Sequence, residues 1–224
     1  MSNKFDIESA KESKLPLRFI ENRNREDGQA LFTACCNGKK LLFEKDRIAI
    51  FKRGAQQSES ERAACPRVAL RFVGARENAP AGFLLNDVQL PRQNGESNQD
   101  CCETVPAYGM LKYSDVWDGV DLELSACDFG LKMNWVLKTP DVVHRIRLCW
   151  EGATALEIDQ DGSLLIHHAQ GTLRDAAPEA WQVLHAELVP IGCSYKLAGG
   201  TEFLFELSCD CDKNSPIVID PLLH

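Results

Sequence analysis

The sequence predicts an all-β fold, a single sandwich-like domain of many short, mainly antiparallel strands. Three observations predict it: short apolar runs recur at close spacing, turn-forming residues separate them, and helix-length periodicity is almost absent. At 224 residues the chain is long enough for one large β domain, and 44% hydrophobic with 26% charged residues is the balance of a folded protein with a sizeable core.

In chain order, residues 1–14 read as a polar leader or short capping helix, and 15–224 as one β-rich domain. The leader lacks the apolar stretch of a secretory signal, and no apolar run approaches the roughly 20 residues a membrane helix needs. Runs 30–34, 40–44 and 47–52 read as a meander, with Asn37-Gly38 and Lys45-Asp46 as turns. A polar loop over 54–64 leads to a strand at 67–73. Residues 77–100, with Pro80, Gly82, Pro91 and Gly95, are expected to be irregular and exposed around an apolar island, Phe83-Leu84-Leu85.

From Tyr108 onward strand signals crowd together at 110–113, 120–126, 131–138, 143–150, 155–158, 163–167 and 171–174. Further runs at 180–188, 193–197, 202–207 and 217–219 complete the series. Asp159-Gln160-Asp161-Gly162 and Gly199-Gly200 are turn signals.

Five segments in order carry a resemblance. They are Leu17-Arg18-Phe19-Ile20-Glu21-Asn22-Arg23, Val68-Ala69-Leu70-Arg71-Phe72-Val73-Gly74-Ala75, Val105-Pro106-Ala107-Tyr108 with Tyr113-Ser114-Asp115-Val116-Trp117-Asp118-Gly119-Val120-Asp121-Leu122, Ile146-Arg147-Leu148-Cys149-Trp150-Glu151-Gly152-Ala153, and the closing Ile217-Val218-Ile219-Asp220-Pro221. From 15 to 222 the chain resembles the N-terminal domain of bacterial cell-surface proteins that carry SBBP β-propeller repeats. It departs from that pattern at Asn24-Arg25, over 97–102, and in its ten cysteines. The resemblance implies a cell-surface or extracellular architectural domain and offers no catalytic residues to carry over.

Charge and motifs exclude several classes. Lys and Arg number 25 against 33 acidic residues, a net charge of −8 that disfavours nucleic acid and anionic membranes as partners. Asp128-Phe129-Gly130 lacks the other kinase motifs and reads as a turn. Asp210, Asp212 and Asn214 repeat half of a calcium loop without its glycine or bidentate glutamate. Asp115, Asp118 and Asp121 surround Trp117 and read as a hydrogen-bonded turn. His167 and His168 adjoin on a strand and so face opposite sides, while His144 and His185 stand alone in strand runs. No metal set, nucleophile or phosphate cradle rises above these structural readings, so no catalysis and no cofactor is expected.

Two residue types remain as candidates. The cysteine count leans toward an oxidising compartment, and Cys35, Cys36, Cys101, Cys102, Cys209 and Cys211, in loops or at strand ends, are the candidates for disulfides or cross-links. Among the tryptophans, Trp135, Trp150 and Trp181 lie within strand runs and are expected in the core, while Trp117, beside a turn, is the candidate binding residue. The expectation is a non-catalytic structural or interaction module, self-associating or docked in a larger surface assembly. A carbohydrate-binding or carbohydrate-active domain is the alternative.

Overall fold

The computed structural model describes residues 18–22, 30–36, 39–52, 68–91, 102–127, 130–184, 187–208, 211–220 and 222–223. They form nineteen strands and one 3-10 helix, Pro140–Arg145. The strands are β1 Phe19–Glu21, β2 Phe32–Cys36, β3 Lys39–Phe43, β4 Arg47–Lys52, β5 Val68–Phe72, β6 Ala81–Pro91, β7 Cys102–Trp117, β8 Val120–Cys127, β9 Gly130–Leu137 and β10 Leu148–Glu151. After them come β11 Ala153–Ile158, β12 Leu164–His168, β13 Gly171–Asp175, β14 Glu179–Leu184, β15 Glu187–Ile191, β16 Cys193–Gly199, β17 Glu202–Leu207, β18 Ile217–Asp220 and β19 Leu222–Leu223.

Every strand pairing among the described residues is antiparallel. One sheet runs β16-β17-β10-β5-β4-β3-β2-β1. A second runs β6-β7-β8-β9-β18-β14-β15, with β19, β13, β12 and β11 branching from β9. The two are continuous where β1 meets β7, Phe19 opposite Tyr108, and the arrangement does not close into a barrel. The all-β expectation holds.

Period-two alternation explains which side chains enter the core. Along β9, Leu131, Met133, Trp135 and Leu137 are buried while Lys132, Asn134 and Val136 face outward. β8 repeats the pattern with Val120, Leu122 and Leu124. The sheets meet over Phe72 of β5, whose ring lies edge-on to Tyr113 at 5.6 Å, Trp117 at 6.3 Å and Trp135 at 5.8 Å. Such geometry sets the positive ring edge against the negative face. The Tyr113 hydroxyl donates to the Glu44 carbonyl at 2.8 Å, tying β7 to the β3–β4 turn.

The structure departs from the expectations at three segments. Residues 81–91, expected to be irregular, form β6, because β7 supplies partners from Ala81 opposite Lys112 to Pro91 opposite Cys102, with the register interrupted at Leu84, which takes φ 58°. Gly82 permits this: the Tyr108 ring lies across it, and an added Cβ would come within 2.4 Å of ring carbons. Phe83 and Leu84 are exposed, as expected of that region. Residues 143–150 are not one strand, since Pro140 opens the 3-10 helix and β10 begins only at Leu148. His144 therefore sits in a helical turn, its Nδ1 donating to the Asp141 carbonyl. Residues 180–188 divide into β14 and β15, a hairpin with Val183 opposite Leu188. The expected turns at Asn37-Gly38 and Asp128-Phe129 lie outside the described residues, as does the polar loop over 54–64.

One buried carboxyl stands apart. Asp175 of β13 is 1% exposed, and its Oδ1 has no hydrogen-bond partner among the described residues. Burial pushes the carboxyl up to about 7, against the opposing pull of the adjacent Tyr195 hydroxyl, which itself donates to the Ala176 carbonyl at 3.0 Å. An unfolded aspartate titrates at about 3.9.

Two outcomes are expected. Between about pH 4 and 7 the native chain holds a proton that the unfolded chain has lost; the resulting stability is complete below that window and lost as pH rises through about 7. Denaturant titration across this window should show wild-type stability falling by at most about 4 kcal/mol. Asp175→Asn should flatten the slope, and an unchanged slope would refute the assignment. Phe72→Ala, which removes the ring shared by both sheets, should cost about 3–5 kcal/mol in the same assay.

Candidate functional site

A shallow pocket of about 410 Å³ opens beside Trp117. Three segments frame it: the end of β5, the β7–β8 turn, and the passage from the 3-10 helix into β10. Its floor is Val73, Gly74 and the edge of Trp117, and its rim is Arg76, Asp118, Arg145 and Arg147.

Each segment is held by backbone bonds. The Val73 amide donates to the Arg147 carbonyl at 2.8 Å, and the Arg76 amide to the Val116 carbonyl at 2.9 Å. Between them Gly74 takes φ +69°, a conformation that L side chains rarely adopt, and open space surrounds the position a Cβ would fill. The β7–β8 turn follows a bulge: Tyr113 lies opposite Leu122 and Trp117 opposite Val120, leaving three residues of β7 facing one of β8. Asp115 sits in that bulge at φ 47°.

The rim is charged on both sides. Arg145 Nη1 donates to the Asp118 carbonyl at 2.6 Å and to its Oδ2 at 2.9 Å. Arg76 Nη2 lies 3.8 Å from the other carboxylate oxygen, and Arg147 Nη2 donates to Glu202 Oε2 at 2.8 Å.

Trp117 is not the exposed platform expected of it. It is 7% exposed, its Nε1 donates to the Val73 carbonyl at 3.1 Å, and its ring lies 5.7 Å from that of Trp135. Strand parity is the reason: Trp117 shares the inward face of β7 with Leu111 and Tyr113, and the bulge preserves that parity. Trp135 and Trp150 are buried as expected. Trp181, expected in the core, is only half-buried, because its neighbours Ala180 and Gln182 are the inward residues of β14. The three arginines were missed by sequence reasoning, although Arg145-Ile146-Arg147 before Leu148 and Trp150 alternates polar with apolar and places both arginines opposite the buried side.

Trp181 belongs to a second surface, the outer face of the β9-β18-β14-β15 end. In one row across those strands, Val136 lies opposite Val218, Val218 opposite Trp181, and Trp181 opposite Pro190. The next pair, Val183 and Leu188, is 44% and 68% exposed.

The acidic candidates are used as turn anchors. Asp115 Oδ1 accepts from Lys138 Nζ at 3.2 Å and from the Gly119 amide at 3.4 Å, contacts that hold its carboxyl below the usual range. Asp121 Oδ1 accepts from the Asp115 amide at 2.8 Å, and its other oxygen pairs with Lys112 at 2.9 Å. With Asp118 committed to arginine, the three carboxylates do not converge. Asp212 Oδ1 accepts from the Asn214 amide and Oδ2 from the Ser215 hydroxyl, a side-chain-closed turn rather than a calcium loop. Asp210 lies outside the described residues. Buried Gln182 clamps this turn, accepting from the Asp212 amide at 2.8 Å and donating to the Asp212 and Ser215 carbonyls at 2.6 and 3.1 Å. Among the described residues no cluster of three or more metal-ligating side chains occurs.

Among the described residues no cysteine is joined in a disulfide. Cys35 and Cys211 are free thiols, as are Cys149 and Cys193. Cys35 is exposed and faces Lys40 across the strand pair, not another thiol, and Cys211 packs against the core. The side chains of Cys36, Cys101, Cys102 and Cys209 lie outside the described residues. His167 bonds Thr172 Oγ1 at 3.1 Å and approaches Glu157, while His168 Nδ1 accepts from the Gln170 amide. Burial, then Lys39, keeps His168 below the ordinary histidine range. His185 lies outside the described residues.

Residues 19–222 match the family described as a domain of unknown function, DUF7948, nearly the whole chain. The chain belongs to that family. The match begins at the first residue of β1 and ends in β19, so both sheets and the pocket beside Trp117 fall within the DUF7948 domain. No curated protein and no solved structure matches the chain.

Gln182→Leu should cost about 2–4 kcal/mol, because it leaves the Asp212 amide and two carbonyls without their partner. Hydrogen exchange should localise the loss to 211–216, and adding calcium should leave the melting temperature of the wild type unchanged. A calcium-dependent rise would overturn the turn assignment.

Proposed function

We propose that this DUF7948 domain is a non-catalytic interaction module of a bacterial cell-surface or extracellular assembly. The observation that carries this reading is the outer apolar face at the β14–β15 end, where Leu188 and Val183 stand exposed beside Trp181 and Pro190. An exposed apolar patch on a sheet marks a protein contact, with burial of that face as the driving force. Pro190 and Glu187 in the outermost strand disfavour pairing along its edge, so contact through the face is preferred to strand addition.

The sequence resemblance to the leading domain of SBBP-repeat surface proteins supports the same setting. Among the described residues no helix is long and apolar enough to cross a membrane. In this reading the domain self-associates or docks on a neighbouring protein of the assembly, and thiols outside the described residues add cross-links under oxidising conditions.

Carbohydrate binding is the second reading, favoured by the pocket beside Trp117, which joins an apolar floor to a rim of guanidinium and carboxylate groups. A glycan array together with chromogenic glycosides separates the possibilities. Saturable binding without turnover supports this reading, and turnover overturns the non-catalytic assignment.

Light scattering tests the first reading. The wild-type chain should show a concentration-dependent rise in mass, and Leu188→Glu with Val183→Lys should abolish it while leaving the melting temperature nearly unchanged, since both side chains are exposed. A strictly monomeric wild type at high concentration, with and without reductant, would refute self-association.

A further inference from the structure

The charge balance of the pocket beside Trp117 narrows its ligand. Three arginines, Arg76, Arg145 and Arg147, line it beside the carboxylate of Asp118, with Glu202 paired to Arg147 and the carboxylates of Asp115 and Asp141 close enough to feel Arg76 and Arg145. The arginines are not equivalent. Arg145 spends one nitrogen on both the backbone and the side chain of Asp118, fixing the turn. Arg76 stands off at 3.8 Å, and Arg147 engages Glu202 through a single nitrogen. Both are more than half exposed, and a guanidinium carries five N–H donors in a planar fork. Each therefore keeps donors able to take a carboxylate in the bidentate geometry that favours arginine.

We propose that this pocket binds a uronic-acid residue of an acidic polysaccharide, with the sugar ring over Val73, Gly74 and the Trp117 edge and its carboxylate between Arg76 and Arg147. The proposal rests on the second reading above, carbohydrate binding, and specifies the sugar. Three features select this class. The volume of about 410 Å³ lies at the small end of the range for small-molecule sites, suited to one or two rings. The space above Gly74 is open, so one face of a pyranose ring can approach the backbone closely. Asp118, 71% exposed on the rim, offers acceptors to ring hydroxyls but repels a densely charged ligand. A phosphate cluster or an acidic peptide would bring several negative charges against that carboxylate, whereas a uronate brings one, which the spare donors of Arg76 and Arg147 can take.

Calorimetric titration with trigalacturonate, its methyl ester and a pentaglutamate peptide tests the assignment. Trigalacturonate should bind saturably and perturb the tryptophan fluorescence, with affinity falling as salt is raised. The methyl ester should bind about tenfold more weakly or worse, and the peptide should not saturate. Arg76→Gln and Arg147→Gln should each weaken trigalacturonate about tenfold with an unchanged melting temperature. Arg71→Gln, whose guanidinium pairs with Glu151 away from the pocket, should leave binding intact.

Equal binding of acid and ester, or indifference to both arginine substitutions, overturns the uronate assignment while leaving carbohydrate binding in place. Preference for the peptide overturns it in favour of a protein ligand. Silence toward all three ligands, with the folded state verified by its melting transition, overturns it as well. The β14–β15 contact surface uses other residues, so its failure in light scattering and the failure of this proposal are read separately.

Discussion

Phe72 is the point on which the two sheets depend. Its ring is shared edge-on by Tyr113 and Trp117 from β7 and by Trp135 from β9, so one side chain of β5 locks together strands from both layers. Apolar area removed from water drives this contact, and the alternation of edge and face fixes its geometry. Trp135 is fully buried and Trp117 nearly so, and Trp117 is the member of the cluster that also lines the candidate pocket. The Trp117 indole bonds the Val73 carbonyl, one residue beyond Phe72, so the packing that joins the sheets also sets the floor of the site.

Ion pairs do a different job in this chain. Arg47 reaches Asp46 on its own turn and Glu151 on β10, and Arg71 reaches the same glutamate, lacing β4, β5 and β10 along the surface of the first sheet. Such half-exposed pairs contribute little to stability individually, and their value lies in fixing which strands are neighbours. The Asp118 pair with Arg145 does the same for the β7–β8 turn and the 3-10 helix. At the pocket rim that logic leaves Arg76 and Arg147 with spare donors, while Asp175, far along the chain in β13, shows the reverse: a buried carboxyl with no cation beside it among the described residues, dependent on a proton for neutrality.

The reach of sequence reasoning can be judged from particular strands. β8 and β9 were readable because one face is buried and the other wet, so V-D-L-E-L and L-K-M-N-W-V-L advertise their period. The Asp159–Gly162 turn was readable because its residue types are demanded by local backbone geometry, and it closes with the Gly162 amide donating to the Asp159 carbonyl at 2.9 Å. β6 was not readable, since Gly82, Asn86, Asp87 and Pro91 are turn-forming residues that interrupt its apolar ones, and it becomes a strand because β7 lies beside it. The acidic sets around Trp117 and Asn214 were correctly read as turns, because aspartates next to glycine or serine satisfy local amides more readily than they gather around an ion.

By itself, then, the amino-acid sequence determined the fold class, most of the strands, the core faces and the closing turns, all of which follow from the local rules of alternation and backbone preference. Only the tertiary structure decided that Trp117 points inward and Trp181 outward, that Cys35 faces a lysine instead of a thiol, and that Arg76, Arg145 and Arg147 gather around one pocket. These outcomes depend on strand register and on which segments, tens of residues apart, are brought together when the sheets pack. Residue type constrains a neighbour two positions along a strand, but a partner across the sandwich is selected by the whole arrangement of strands.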